Sequence, residues 1–133
     1  MQYFIHEKAL FYKDHRAAAI IQQTKNRCEL EVLDRRLGRY AIGEWPIYQL
    51  GVMRAALTAK HSQNPKLRNH LLKTGDAVLA KTGMADVTWG IGWNTISNLA
   101  KDVLLWDGYN LLGYLLMDIR DFLKRGWVII ARH

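Results

Sequence analysis

Three places in this 133-residue chain set reactive side chains where bulk solubility does not require them. The first is Lys8. In the opening "QYFIHEKALFY" its neighbours at i−4, i−3, i+3 and i+4 are Phe4, Ile5, Phe11 and Tyr12, so on a helix its ammonium stands inside an apolar stripe. One reading is a stem that covers apolar surface while the amine reaches water. The other is a pocket lysine, where a desolvated amine becomes a nucleophile or meets phosphate. Lys60 repeats the pattern at the end of the side Trp45, Gln49, Val52, Met53 and Ala56, but near a helix C-terminus, where the helix dipole favours a cation in any case. The third place is "DVTWGIG". Asp86 offers a carboxylate for acid–base work, Trp89 a stacking face, and Gly90 and Gly92 a backbone that a ligand can approach. The plainer alternative there is a turn capped by Asp86 with Trp89 in the core.

The elements that must hold these groups are helical. A first helix runs from about Gln2 to Tyr12. Asp14 is placed to cap a second, "HRAAAIIQQT", and "CELEVLDRRLG" forms a third that stops at Gly38. "EWPIYQLGVMRAALTAKH" is the longest, with Pro46 in its first turn, where a missing N–H costs nothing. Asn64, Pro65 and Gly75 mark the cap, first residue and stop of a short helix. "NLLGYLLMDIRDFLKRG" carries a wide apolar face of Leu111, Leu112, Leu115, Leu116, Ile119, Phe122 and Leu123, with Asn110 as its cap. "DAVLAKTG" reads as a short strand or a further helical turn, and the tail "WVIIARH" as a strand with nothing evident to pair with. The expectation is one compact, mainly α-helical domain over residues 1–133 with little or no sheet. Its core is expected in the helices at Glu44–Lys60 and Asn110–Lys124.

Composition sets the outer limits. A chain of this length buries about two-thirds of its unfolded surface and folds without staples. One cysteine, Cys28, makes neither an internal disulfide nor a thiol-rich metal site, which points to a reducing, cytoplasmic setting. The five histidines show no paired ligand spacing, so no metal is expected, and no cofactor motif such as a P-loop or dinucleotide fingerprint is present. No leader is visible and no apolar run is of membrane-spanning length. The formal charge of +7 suits an anionic partner as well as simple solubility.

In order along the chain, "QYFIHEKA", "LGR", "EW……VMRAALTAKHSQNPKLRNHLLKTG", "DVTWGIG" and "NLLGYLLMDIR" resemble the NADAR (YbiA-like) family over residues 1 to about 123. The resemblance implies a mainly helical fold and N-glycosidase chemistry on a phosphorylated ribosyl compound, either a riboflavin-pathway intermediate or ADP-ribose on guanine in nucleic acid. It puts Lys8 and Asp86 at catalytic positions and Trp45, Arg54, Lys60, Trp89 and Asn110 at substrate-binding ones. Departures from the family pattern are also present. Two family glutamate positions fall on Met1 and Lys81, and a family phenylalanine position falls on His61. On this reading the chain begins inside a family motif. A second expectation follows: a pseudoenzyme that keeps the nucleotide pocket without turnover.

Overall fold

The computed structural model describes residues 1–38 and 44–126. Six α-helices account for most of them: α1 (Gln2–Phe11), α2 (His15–Gln23), α3 (Arg27–Gly38), α4 (Trp45–Gln63), α5 (Pro65–Lys73) and α6 (Leu111–Lys124). Two short 3-10 turns, Asn98–Lys101 and Val103–Leu105, interrupt the long connection before α6. No strand occurs among the described residues, so the expectation of a mainly helical chain holds. The tail "WVIIARH" and Arg39 of "LGR" lie outside the described residues. The chain groups into two compact units, Met1–Ala56 and Leu57–His133, and α4 runs through the division.

In the first unit side chains cap two helices, one at Asp14 as the sequence predicts and one at Asn26, which the pattern did not single out. Asp14 accepts from the backbone N–H of Ala17 and starts α2, while Asn26 accepts from Cys28 and Glu29 and starts α3. Gln2 closes the other end of α2: its amide donates to the carbonyls of Ile21, Gln22 and Thr24 at 2.8, 3.1 and 2.9 Å. These carbonyls are the ones a helix leaves without intrahelical partners, so α1 is tied to α2 by hydrogen bonds as well as by packing. Phe4, Ile5 and Ala9 of α1, Ala18 and Ile21 of α2, and Leu30 and Leu37 of α3 are buried. Trp45 joins them. Its ring centroid is 5.4 Å from that of Phe4 and 5.5 Å from that of Phe11.

That distribution corrects the expected core. α4 contributes only Trp45 as a buried residue, and Ile47, Tyr48 and Leu50 in its first turns are exposed. Its apolar residues do not gather on one narrow stripe. α1 and α2, with shorter apolar patterns, supply the first unit's core instead.

The second unit is organised on α6, as its periodicity predicts. Ile119 and Leu123 pack with Leu71 of α5, and Leu57, Leu72, Leu79, Leu116 and Phe122 close around them. The segment "DAVLAKTG" is neither strand nor helix; it leaves a turn at Asp76 and continues without regular structure. Asn110 holds it. That residue has no exposed surface and sits in the left-handed region at φ 51°, which asparagine tolerates better than most residues. Its side chain makes no cap bond to α6. It accepts instead from the backbone N–H of Lys81 (3.0 Å) and donates to the carbonyl of Leu79 (2.9 Å). The first N–H groups of α6 are met by the loop: Leu111 donates to Thr88 and Leu112 to Trp89.

Gly113 completes this junction. A Cβ there would lie 2.1 Å from the carbonyl oxygen of Leu79, a backbone atom fixed by Asn110. Gly113→Ala is expected to destabilise the protein by about 2–3 kcal/mol, read as a lowered denaturant midpoint. An unchanged midpoint would mean that the Leu79–Asn110 junction is not rigid.

Candidate functional site

Lys8 is buried, at 9% exposure. It donates to Asp34 of α3 at 2.8 Å. Asp34 was not among the residues the sequence singled out, although its signal was present. It lies between Leu30 and Leu37 on the inward side of α3, an acid in an apolar stripe just as Lys8 is a base in one. Each anomaly answers the other. The same unit holds Trp45, whose indole is buried between aromatic rings of α1 rather than presented as an open stacking face. Arg54 is exposed on α4.

The second unit holds Asp86, Trp89, Lys60 and Asn110. Asp86 is fixed twice: Oδ1 accepts from the backbone N–H of Trp89 at 3.0 Å, and Oδ2 accepts from the amine of Lys81. The capping turn considered for "DVTWG" is therefore present, and Trp89 is half-buried. Burial by itself raises the Asp86 carboxyl. The Lys81 hydrogen bond, the Trp89 N–H, the Lys81 charge and the Gly90 N–H act the other way, and the net result is a pKa below the ordinary 3.8. A carboxyl held ionised suits a base, a nucleophile or a stabiliser of positive charge, and it does not suit a general acid at neutral pH. The glycine of this loop serves the chain's own packing. A Cβ on Gly90 would meet the carbonyl oxygens of Lys81 and Asp86 at 2.8 and 2.9 Å, so backbone rather than ligand occupies the approach. The N-terminus of α6 is likewise satisfied by loop carbonyls, and the Asn110 amide is engaged by Leu79 and Lys81. Lys60 is exposed near the end of α4.

The structure thus brings Asp86, Trp89 and Asn110 into one hydrogen-bonded junction and adds Lys81 to it. Among the described residues no group of histidines, cysteines and carboxylates is arranged to hold a metal ion, and no helix is long and apolar enough to cross a membrane.

The NADAR domain description matches residues 1–124. The chain belongs to the NADAR family. N-glycosidase R617 of Acanthamoeba polyphaga mimivirus is 31% identical over 120 residues, which is 90% of this chain and 71% of that protein. N-glycosidase Npun_R5314 of Nostoc punctiforme is 28% identical, over 92% of this chain and 71% of the relative. N-glycosidase YbiA of Escherichia coli is 38% identical over 77 residues, covering 58% of this chain and 41% of YbiA.

Two stability measurements probe the ion pairs of this NADAR chain. For the first pair, Asp34 keeps a side chain 39% exposed while that of Lys8 is 11% exposed, so the partners respond unequally to deletion. Lys8→Met leaves an aspartate that water can solvate and is expected to shift stability by no more than about 1 kcal/mol. Asp34→Leu strands a buried ammonium and is expected to cost about 3–5 kcal/mol. Equal costs by urea unfolding would contradict the burial order. For the second pair, a depressed carboxyl adds stability above the unfolded-state value, and that stability disappears as pH falls through the folded-state value. The Asp86 contribution is therefore expected to be complete above 3.8 and to fade below it. Melting temperatures followed from about pH 5 down to about pH 2 should fall less steeply in Asp86→Asn.

Proposed function

We propose that this NADAR chain acts, as one domain over 1–133, on the N-ribosidic bond of a phosphorylated ribosyl substrate. The substrate class is a riboflavin-pathway intermediate or ADP-ribose attached to guanine. The observation that carries this reading is the match along 1–124 to a family whose relatives bear the name N-glycosidase. The geometry adds a carboxylate, Asp86, kept ionised beside a half-buried tryptophan. Breaking a ribose C–N bond builds positive charge at the anomeric carbon, and a fixed carboxylate stabilises that charge or activates water. Trp89 stacks on the base or sugar, and Arg54 and Lys60 meet phosphate. Lys8 is the amine of the mechanism. Its 2.8 Å ion pair with Asp34 must open first; the deprotonated amine then attacks C1 of the ring-opened riboside, the C1–nitrogen bond breaks, the base leaves with a proton, and water hydrolyses the Lys8 Schiff base to free sugar and amine. The compartment we assign is the cytoplasm, and no cofactor enters the scheme.

A second reading has its own observation. Lys81 stands at a family glutamate position and occupies Asp86. A carboxylate neutralised from inside the protein serves turnover poorly, which favours a pseudoenzyme that binds the nucleotide or ADP-ribose without cleaving it. Hydrolysis assays on a phosphorylated aminopyrimidine riboside and on ADP-ribosylated guanine separate the two. The enzyme reading expects measurable turnover that falls by about 10²–10⁴ in Asp86→Asn and Lys8→Ala. The pseudoenzyme reading expects saturable binding with background turnover, and a gain of at least about tenfold in Lys81→Met as Asp86 is released. Robust turnover that neither Asp86→Asn nor Lys8→Ala reduces would remove the proposed chemistry altogether.

A further inference from the structure

The second unit contains a cavity of about 370 Å³ between the end of α4, α5, the irregular segment and α6. This size falls in the range of small-molecule sites. Most of its wall is apolar, supplied by leucines such as Leu67, Leu112 and Leu116. Its polar groups are His61, His70, Thr74 and Lys81, and no carboxylate among the described residues lines it.

Hydrogen bonding shows what these groups have left to offer. The Nδ1–H of His61 donates to the carbonyl of Leu57 at 2.8 Å, so in the uncharged ring Nε2 carries the lone pair and is an acceptor. Lys81 gives one of its three N–H donors to Asp86 and keeps two. The Thr74 hydroxyl spends its one donor on the Leu71 carbonyl and accepts from Nη1 of Arg120 at 2.8 Å. That last bond brings a further positive charge up to the wall. Arg120 is 4% exposed, its Nη1 bonds only neutral oxygens, those of Thr74 and Ala77, and its Nε has no partner. Asp76, the acid that feels the Arg120 charge, is held by Lys124 at 2.8 Å. The acids near the cavity are thus engaged by lysines, and the buried guanidinium behind Thr74 has no carboxylate bonded to it.

We propose that this cavity binds a small, largely apolar molecule carrying one anionic group, with the apolar body against the leucines and the anion toward the Lys81 ammonium. The apolar wall excludes a heavily phosphorylated ligand, and the absence of lining carboxylates excludes a cation. The inference does not rest on the N-glycosidase reading, because it concerns binding and uses no step of the reaction.

The probe is 1-naphthoate, titrated into the full chain while the histidine ring resonances are followed by NMR. Naphthalene-1-methanol and 1-naphthylmethylammonium serve as the neutral and cationic counterparts. The expected result is saturable movement of the His61 and His70 signals with naphthoate, at least about fivefold weaker binding of either counterpart, and a similar loss in Lys81→Met. Leu116→Trp, which fills the cavity, should remove the response; if that variant does not fold, Lys81→Met decides. Equal binding of the three naphthyl compounds, or unaltered naphthoate binding in Lys81→Met, would overturn the proposal. So would shifts that do not saturate or that miss both histidines.

Discussion

A buried ammonium must be met by an opposite charge, and the first unit of this protein meets that requirement with the pair Lys8–Asp34. Lys8 on α1 cannot be accommodated among Phe4, Ile5 and Ala9 unless α3 presents Asp34 to it. The pair therefore fixes the rotation of both helices, since turning either by one residue would leave a charge against an apolar surface. Together with the Gln2 clamp on the last carbonyls of α2, it sets how three short helices of weak individual stability share one core. In the second unit Lys81 and Asp86 play the corresponding part for an irregular segment. No ladder of strand bonds holds that segment, and specific polar contacts take over.

How far the sequence carried this picture depended on the range of the interaction. Caps at Asp14 and Asn64 and the face of α6 were legible, because they are written within three or four residues. The place of α4 was misread: apolar residues spaced along a long helix said nothing about which of them would be covered. The role of Asn110 was invisible for a different reason. A residue before a helix is expected to cap it, yet this one bonds a segment 29 to 31 residues earlier, and no local spacing records that. Asp34 lies between these cases. Its position on the inward side of α3 was readable as an anomaly, but only pairing it with Lys8 gives it meaning.

The candidate site shows the same division. Asp86 and Trp89 were found from three-residue spacing and do share a turn. Their setting was not foreseen, because it is made by carbonyls of the chain itself. Backbone fills the space that Gly90 leaves and satisfies the first N–H groups of α6, two features that in isolation suggest ligand or anion contact. What remains available is displaced toward Lys81. Lys81 and His61, one holding Asp86 and the other tied to the Leu57 carbonyl, line one cavity.

The two lysine–aspartate pairs differ in which member can move, and that difference bears on function. Asp34 is the more exposed partner of the first pair, so its loss of contact is eased by water while Lys8 stays anchored in the core. In the second pair the carboxylate is the anchored member. Asp86 keeps its bond from the Trp89 backbone whatever Lys81 does, whereas Lys81 has a flexible four-carbon stem and a side chain 38% exposed. Lys81 holds Asp86 and lines the cavity at once. With three N–H donors on one ammonium it can face both without leaving either, so the same side chain that fixes the irregular segment also sets the charge of the cavity wall.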